Sequence, residues 1–166
     1  MSANIDLVIR PATESDIPAL LGLIWELAEY EKLTHIMVAT EEQYRQALFG
    51  ARPVAEALMA FVDGQAVGYA IFFHNFSTFL GRPGIYLEDI YVRPQVRGRG
   101  VGKKLFATVA RIARERNCGR YEWCVLKWNT PSIDFYKALG AEALDGWLMM
   151  RLDGDALAKV ADLAEE

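Results

Sequence analysis

The sequence predicts an α/β fold of the mixed α+β kind: a twisted, mostly antiparallel sheet with helices on both faces, in one domain over residues 1–166. Three observations predict it. The chain has 166 residues, 52% of them hydrophobic and 24% charged, and a chain of ~150 residues buries roughly 70% of its unfolded surface in one core. Strand-like and helix-like stretches alternate, but without the strict βαβ regularity of a parallel sheet. No internal repeat, low-complexity tract or Pro/Ser-rich linker divides the chain.

The elements follow in order. Leu7 to Arg10 reads as a first strand. Thr13-Glu14-Ser15-Asp16 resembles a capping box, and behind it Ile17, Leu20, Leu21, Ile24, Leu27 and Ala28 share one helical face. Thr40-Glu41-Glu42-Gln43 is a second capping box, with Gly50 placed to close that helix. Leu58 to Val62 and Ala66 to Phe73 flank Asp63-Gly64-Gln65, a hairpin signal. His74 to Gly84 reads as a long loop, and Tyr86 to Val92 as the next strand. Glycines then open a helix whose face is Leu105, Phe106, Val109, Ile112 and Ala113. Tyr121 to Leu126 is a strand, Asn129-Thr130-Pro131 starts a helix that stops near Gly140, Trp147 to Leu152 is a late strand, and Asp155 to Ala164 a terminal helix.

Charge and composition narrow the functional classes. A formal net charge of -4 lacks the basic surplus of a general nucleic-acid binder. Met1 to Asp6 lacks a basic segment followed by an apolar core, and runs such as Tyr69 to Phe73 fall far short of the ~20 residues of a membrane span. The expectation is a cytoplasmic protein with no membrane and no nucleic-acid partner. Cys118 and Cys124 read as reduced, structural thiols, and with His35 and His74 they show no metal-ligand spacing, so no metal is expected.

Arg97-Gly98-Arg99-Gly100-Val101-Gly102 lies between a strand and an amphipathic helix. Glycines permit positive φ and close backbone approach, and a helix N-terminus offers free N–H groups and partial positive charge. Together they form a site for a diphosphate, with Lys103 and Lys104 adding charge. Two other phosphate motifs fail. The dinucleotide fingerprint needs glycine where Lys103 stands, and the P-loop needs Ser or Thr where Lys104 stands and glycine where Arg97 stands.

Arg97-x-x-Gly100-x-Gly102, preceded by Leu87-Glu88-Asp89-Ile90-Tyr91-Val92, resembles the acetyl-CoA signature of the GNAT superfamily of N-acetyltransferases. Trp128-Asn129-Thr130-Pro131 through Phe135-Tyr136 to Gly140-Ala141 resembles its second cofactor segment. The resemblance is closest to the diamine (spermidine/spermine) and thialysine acetyltransferases, and runs from Ile9-Arg10-Pro11-Ala12-Thr13 through Tyr30-Glu31 to Gly146-Trp147. It implies the GNAT fold, acetyl-CoA as cosubstrate, a small primary amine as acceptor and a homodimer. It further implies a cofactor set of Ile90, Tyr91, Val92, Arg97, Gly98, Arg99, Gly100, Val101, Gly102, Lys103, Asn129 and Tyr136, and substrate-side residues Tyr30, Glu31, Ser77, Glu88, Asp89 and Trp147.

The chemistry asks for those residue types. A lysine-like amine has a pKa of ~10.4, so about one molecule in a thousand is neutral near pH 7.5, and selecting it costs roughly 4 kcal/mol unless the site takes the proton. Glu88 matches the related enzymes' glutamate and is the candidate base; its bland alternative is a solvated carboxylate or an ion pair. On a regular strand Asp89 faces the other way, and only a β-bulge brings both carboxylates to one cleft. Backbone N–H groups of Ile90 and its neighbours are candidates to stabilise the oxyanion. Tyr136 matches the proton donor to the departing thiolate; its bland alternative is packing beside Ile133. Asn129 is otherwise a helix cap. Ser77, in Phe76-Ser77-Thr78-Phe79, resembles the thialysine branch and is expected to meet an α-carboxylate. Two other functions fit less well: an acyl-CoA-binding module without turnover, and a protein lysine or N-terminal acetyltransferase.

Overall fold

Five strands form one sheet in sequence order, β1 (Leu7–Pro11), β2 (Glu56–Val62), β3 (Gln65–Ser77), β4 (Arg82–Val92) and β5 (Tyr121–Trp123). Neighbours from β1 to β4 run antiparallel and β5 runs parallel to β4. Between the strands lie α1 (Ile17–Glu31), α2 (Glu41–Phe49) and α3 (Val101–Glu115), and after them α4 (Thr130–Ala138) and α5 (Gly154–Asp162). The structure, a computed structural model, describes residues 6–165. It divides into two units, Met1–Cys124 with the whole sheet and Val125–Glu166 with α4 and α5.

Local chemistry sets the element ends. Before α1, Asp16 closes a capping box with Thr13 and is held by the two terminal nitrogens of the Arg10 guanidinium, Nη1 and Nη2, at 2.6 and 2.9 Å. Thr40 and Gln43 close the second box, at 2.8 Å from Thr40 N–H to the Gln43 side chain. Asp63 (φ 49) and Gly64 (φ 77) form the two-residue turn between β2 and β3, the left-handed pair a type I′ hairpin needs. Gly50 does end α2, but in extended conformation, its N–H bonded to Gln46 O at 3.1 Å.

The sheet is covered on both sides. Met59, Tyr69, Ile71 and Tyr91 pack with Leu20, Leu23 and Ile24 of α1 and Leu48 of α2. The alternate side chains turn to α3: a side chain on Gly68 would meet Leu105 of α3 at 3.4 Å, and one on Gly102 would meet Val92 at 3.7 Å.

Three expectations fail. The expected loop over 74–84 is a continuous hairpin, with Ser77 paired to Arg82 and Phe76 to Pro83. Pro83 is tolerated because β5 pairs with β4 only from Ile85 to Leu87, which leaves the proline beyond that ladder. β5 itself stops at Trp123 rather than Leu126. The late strand over Trp147 to Leu152 is absent; the segment shows no strand, and Leu148, Met149 and Met150 are all exposed. The four apolar residues in succession, Trp147 to Met150, lack the period-two pattern of a half-buried strand.

Candidate active site

The decisive feature is a break in the register of β4. Ile71 pairs with Asp89, but the next residue, Phe72, pairs with Leu87, so Glu88 is an extra residue with no partner on β3. A bulge reverses the alternation of faces. Ile85 and Leu87 therefore share a face with Phe72, on the α3 side, whereas Asp89 and Tyr91 share a face with Ile71 and Tyr69, on the α1 side. Glu88, adjacent to both, projects with Asp89. The bulge that two neighbouring carboxylates need is present.

Those carboxylates gather other polar groups. Asp89 is half-buried, and the Tyr69 hydroxyl, itself fully buried, donates to its Oδ2 at 3.4 Å. Glu31 is the last residue of α1, where the left-handed Lys32 (φ 60) turns the chain away. Burial, then Glu88, then Glu31 push the Asp89 carboxyl up to about 6, against the lowering effect of the Tyr69 hydrogen bond. Burial also raises Glu31. Tyr44 of α2 is raised by burial and by the charges of Asp89 and Glu88. Among the described residues none of Glu31, Glu88 and Asp89 forms an ion pair. The three carboxylates form a negative wall with no paired basic side chain among the described residues.

β4 has an open edge beside this wall. Because β5 pairs only as far as Leu87, residues from Glu88 onward have no neighbour on that side within the sheet. Arg93 N–H donates to Val67 O at 2.9 Å. In an antiparallel ladder the backbone groups of alternate residues then point to β3, and those between them point away. Tyr91 thus turns its backbone to β3, and Ile90 and Val92 turn theirs to the open edge. Val92 O accepts from Arg97 Nε at 2.8 Å. Arg97 is otherwise held against the rings of Tyr30 and Tyr91, 5.2 and 5.6 Å from their centroids. Tyr91 also donates to Glu26 at 3.2 Å, so its side chain belongs to the core.

The glycine turn continues from that edge. Gly98 (φ 75) and Gly100 (φ 83) are left-handed, which glycine adopts without strain. A Cβ on either would meet nothing within 4 Å, so the space above the turn is open. The first helical bond of α3 runs from Lys104 N–H to Gly100 O at 2.9 Å. The preceding N–H groups, of Val101, Gly102 and Lys103, carry no bond within the helix. Arg99, Lys103 and Lys104 are exposed around them. This concave, N–H-lined, cationic turn fits the diphosphate of an acyl-CoA.

The other expected site residues divide. Asn129 caps α4, its Oδ1 accepting from Ser132 N–H at 3.4 Å, and Tyr136 lies on α4 with its ring edge-on to Phe135 at 5.3 Å. Trp147 is exposed in the same second unit. Ser77 does not join the carboxylates. It is buried in the β3–β4 turn, its hydroxyl accepting from Leu80 N–H at 3.2 Å, and its partner Arg82 lies six residues before Glu88 on β4, roughly 20 Å at the rise of a strand. The hairpin, longer than expected, carries Ser77 to the far end of the sheet. Tyr44 and Tyr69 went unassigned from sequence: Tyr69 lies in an apolar run and reads as core, and Tyr44 stands among the polar residues of α2 with no motif around it. Cys118, read from sequence as a structural thiol, has its sulfur 3.9 Å from His74 Nδ1, a residue distant in sequence.

The chain belongs to the acetyltransferase (GNAT) family, whose sequence profile matches residues 19–141. Among curated proteins it is 43% identical to a thialysine N-epsilon-acetyltransferase of Bos taurus, covering 93% of this chain and 97% of that one. It is 32% identical to an L-ornithine N5-acetyltransferase of Arabidopsis thaliana, covering 93% and 88%. Among solved structures an integron cassette protein from V. cholerae superposes with a TM-score of 0.79 at 25% identity, covering 95% of this chain and 99% of that one.

Proposed function

We propose that the protein transfers the acetyl group of acetyl-CoA to the side-chain amine of a lysine-like amino acid or a similarly short diamine. One observation carries the reading: the bulge at Glu88 sets Glu88, Asp89 and Glu31 on one face, beside the open edge of β4 and without a cation of their own. A protonated primary amine supplies the missing charge. The relatives named for thialysine and ornithine acetylation support a short amino-acid amine.

Acetyl-CoA, when bound, supplies an acetyl thioester. The N–H groups of the glycine turn, from Gly98 to Lys103, hold its diphosphate. On this reading the Ile90 N–H at the open edge polarises the acyl oxygen. Asp89 and Glu31 anchor the ammonium. Glu88, exposed on the bulge, takes the proton and passes it to water. As the amine nitrogen forms its bond to the acetyl carbon and the C–S bond breaks, Tyr136 would give its phenolic proton to the departing sulfur and regain one from water, and Asn129 fixes the start of its helix. The Asp89 carboxyl, raised to about 6, ionises near neutral pH and is pulled further into its charged form by the ammonium it binds.

The same reading takes the enzyme as a cytoplasmic homodimer, and the exposed Phe76, Phe79 and Leu80 of the β3–β4 turn support a partner surface; sedimentation at micromolar concentration measures it. Among the described residues no helix is long and apolar enough to cross a membrane. The test of function is CoA release with thialysine, lysine, ornithine and spermidine. The proposal expects kcat/KM to be higher for the amino acids than for spermidine, and equal or reversed values contradict it.

A further inference from the structure

Tyr69 is a fully buried residue, on β3, whose hydroxyl bonds the carboxylate wall at Asp89. It sits on β3 two residues before Ile71, the partner of Asp89, and its hydroxyl has no other hydrogen-bond partner among the described residues. A buried phenol without an acceptor is costly, so the core itself favours an Asp89 that accepts. The charged groups facing Asp89 oppose its charge: Glu31 at the end of α1 and Glu88 next to it on β4. Tyr44 on α2 is a neutral phenol whose own ionisation those carboxylates disfavour. Among the described residues, Tyr69 is the side chain that donates to Asp89. The 3.4 Å separation is long for an O–H···O bond.

Resting on the amine-site reading above, we propose that Tyr69 is a positioning residue for amine recognition: its buried phenol holds Asp89 ionised and aimed at the substrate. It touches neither the amine nor the acyl group. Its work is to keep one carboxylate charged in a crowd of like charges. The phenol also fixes the direction from which the amine is received, because a bonded Oδ2 leaves Oδ1 as the oxygen free for the ammonium.

The test is Tyr69→Phe, which keeps the ring and removes only the hydroxyl. Two readouts are needed. Carboxyl carbon titration by NMR, on protein without substrate, follows Asp89 directly. The expected result is an upward displacement of its midpoint by about half a unit or more. In kinetics, the acidic limb of kcat/KM for thialysine shifts upward by a similar amount. KM for the amine rises several-fold below pH 7, acetyl-CoA KM is unchanged, and the variant approaches the wild type at pH 8.5. An unmoved Asp89 titration in a folded variant overturns the proposal, as does an equal loss of kcat at every pH. If the wild type acetylates no amine at all, the functional reading falls, while the NMR titration still decides whether Tyr69 controls Asp89.

Discussion

Asp16 and Asp89 are two aspartates of one sheet-and-helix unit in opposite circumstances. Asp16 receives both terminal guanidinium nitrogens of Arg10 as well as the Thr13 N–H and hydroxyl; the Arg10 bond above all holds its carboxyl well below the ordinary range. Asp89 receives one long bond from Tyr69 and faces Glu88 and Glu31, and its carboxyl rises to about 6. Glu56, at the start of β2, repeats the first pattern, bonded at 2.5 and 2.8 Å by Arg116 and lowered chiefly by it. A carboxylate that is matched by its own chain holds the fold together. One left unmatched waits for a ligand.

The largest expected effect breaks the unmatched member. Asp89→Asn removes the charge that meets the amine, and kcat/KM for thialysine at pH 7.5 should fall by ~10²-fold or more, in the range of general acid–base and positioning losses. The same change should stabilise the protein. Folded Asp89 binds its proton more tightly than the unfolded chain does. Stability therefore declines as pH rises from about 4 to about 6 and stays lower above. Thermal melts at pH 7.5 should show Asp89→Asn more stable by roughly 1–3 kcal/mol. A variant that is both inactive and less stable would move Asp89 into the structural class.

Tyr136→Phe should lower kcat by ~10²-fold with acetyl-CoA affinity intact, a proton-transfer contribution, read by single-turnover rates beside calorimetric titration. Near-normal turnover with chemistry rate-limiting returns Tyr136 to packing.

Asp16→Asn sharpens the comparison from the other side. Its stabilisation is fully present above the ordinary carboxylate pKa and is lost progressively as pH falls from there through the lowered folded value, because the folded state holds the proton more weakly. The substitution should cost about 1–2 kcal/mol at pH 7, with allowance for the partly exposed Arg10, and leave KM for the amine unchanged. Denaturant melts and amine KM measure both halves.

Much of this contrast was legible in the sequence. The capping boxes at Thr13 and Thr40, the Asp63-Gly64 turn and the left-handed glycines before α3 are local rules, and local rules are written in neighbouring residues. The bulge was not read, although it leaves a trace. The residues of β4 that face α3 are Ile85 and Leu87 before Glu88, and Val92 after Asp89, so the apolar alternation changes from odd to even positions across the two acids. Tyr69 was hidden because its ring packs like any core aromatic and only its hydroxyl differs, and Tyr44 because it stands among polar residues with no motif around it. The hairpin from His74 to Gly84 was hidden by Pro83, a breaker in most strands but harmless where no ladder needs its N–H. The segment after Gly146 was overread, since apolar content without alternation does not make a strand.

The central claim is that the carboxylates around the β4 bulge receive the amine. The most direct measurement is kcat/KM for thialysine from pH 5 to 9.5 in the wild type, Glu88→Gln and Asp89→Asn. The account predicts a wild-type acidic limb near pH 6, a Glu88→Gln loss that diminishes as pH rises and more amine becomes neutral, and an Asp89→Asn profile without that limb. Three superimposable profiles, in folded proteins that bind acetyl-CoA equally, would contradict it.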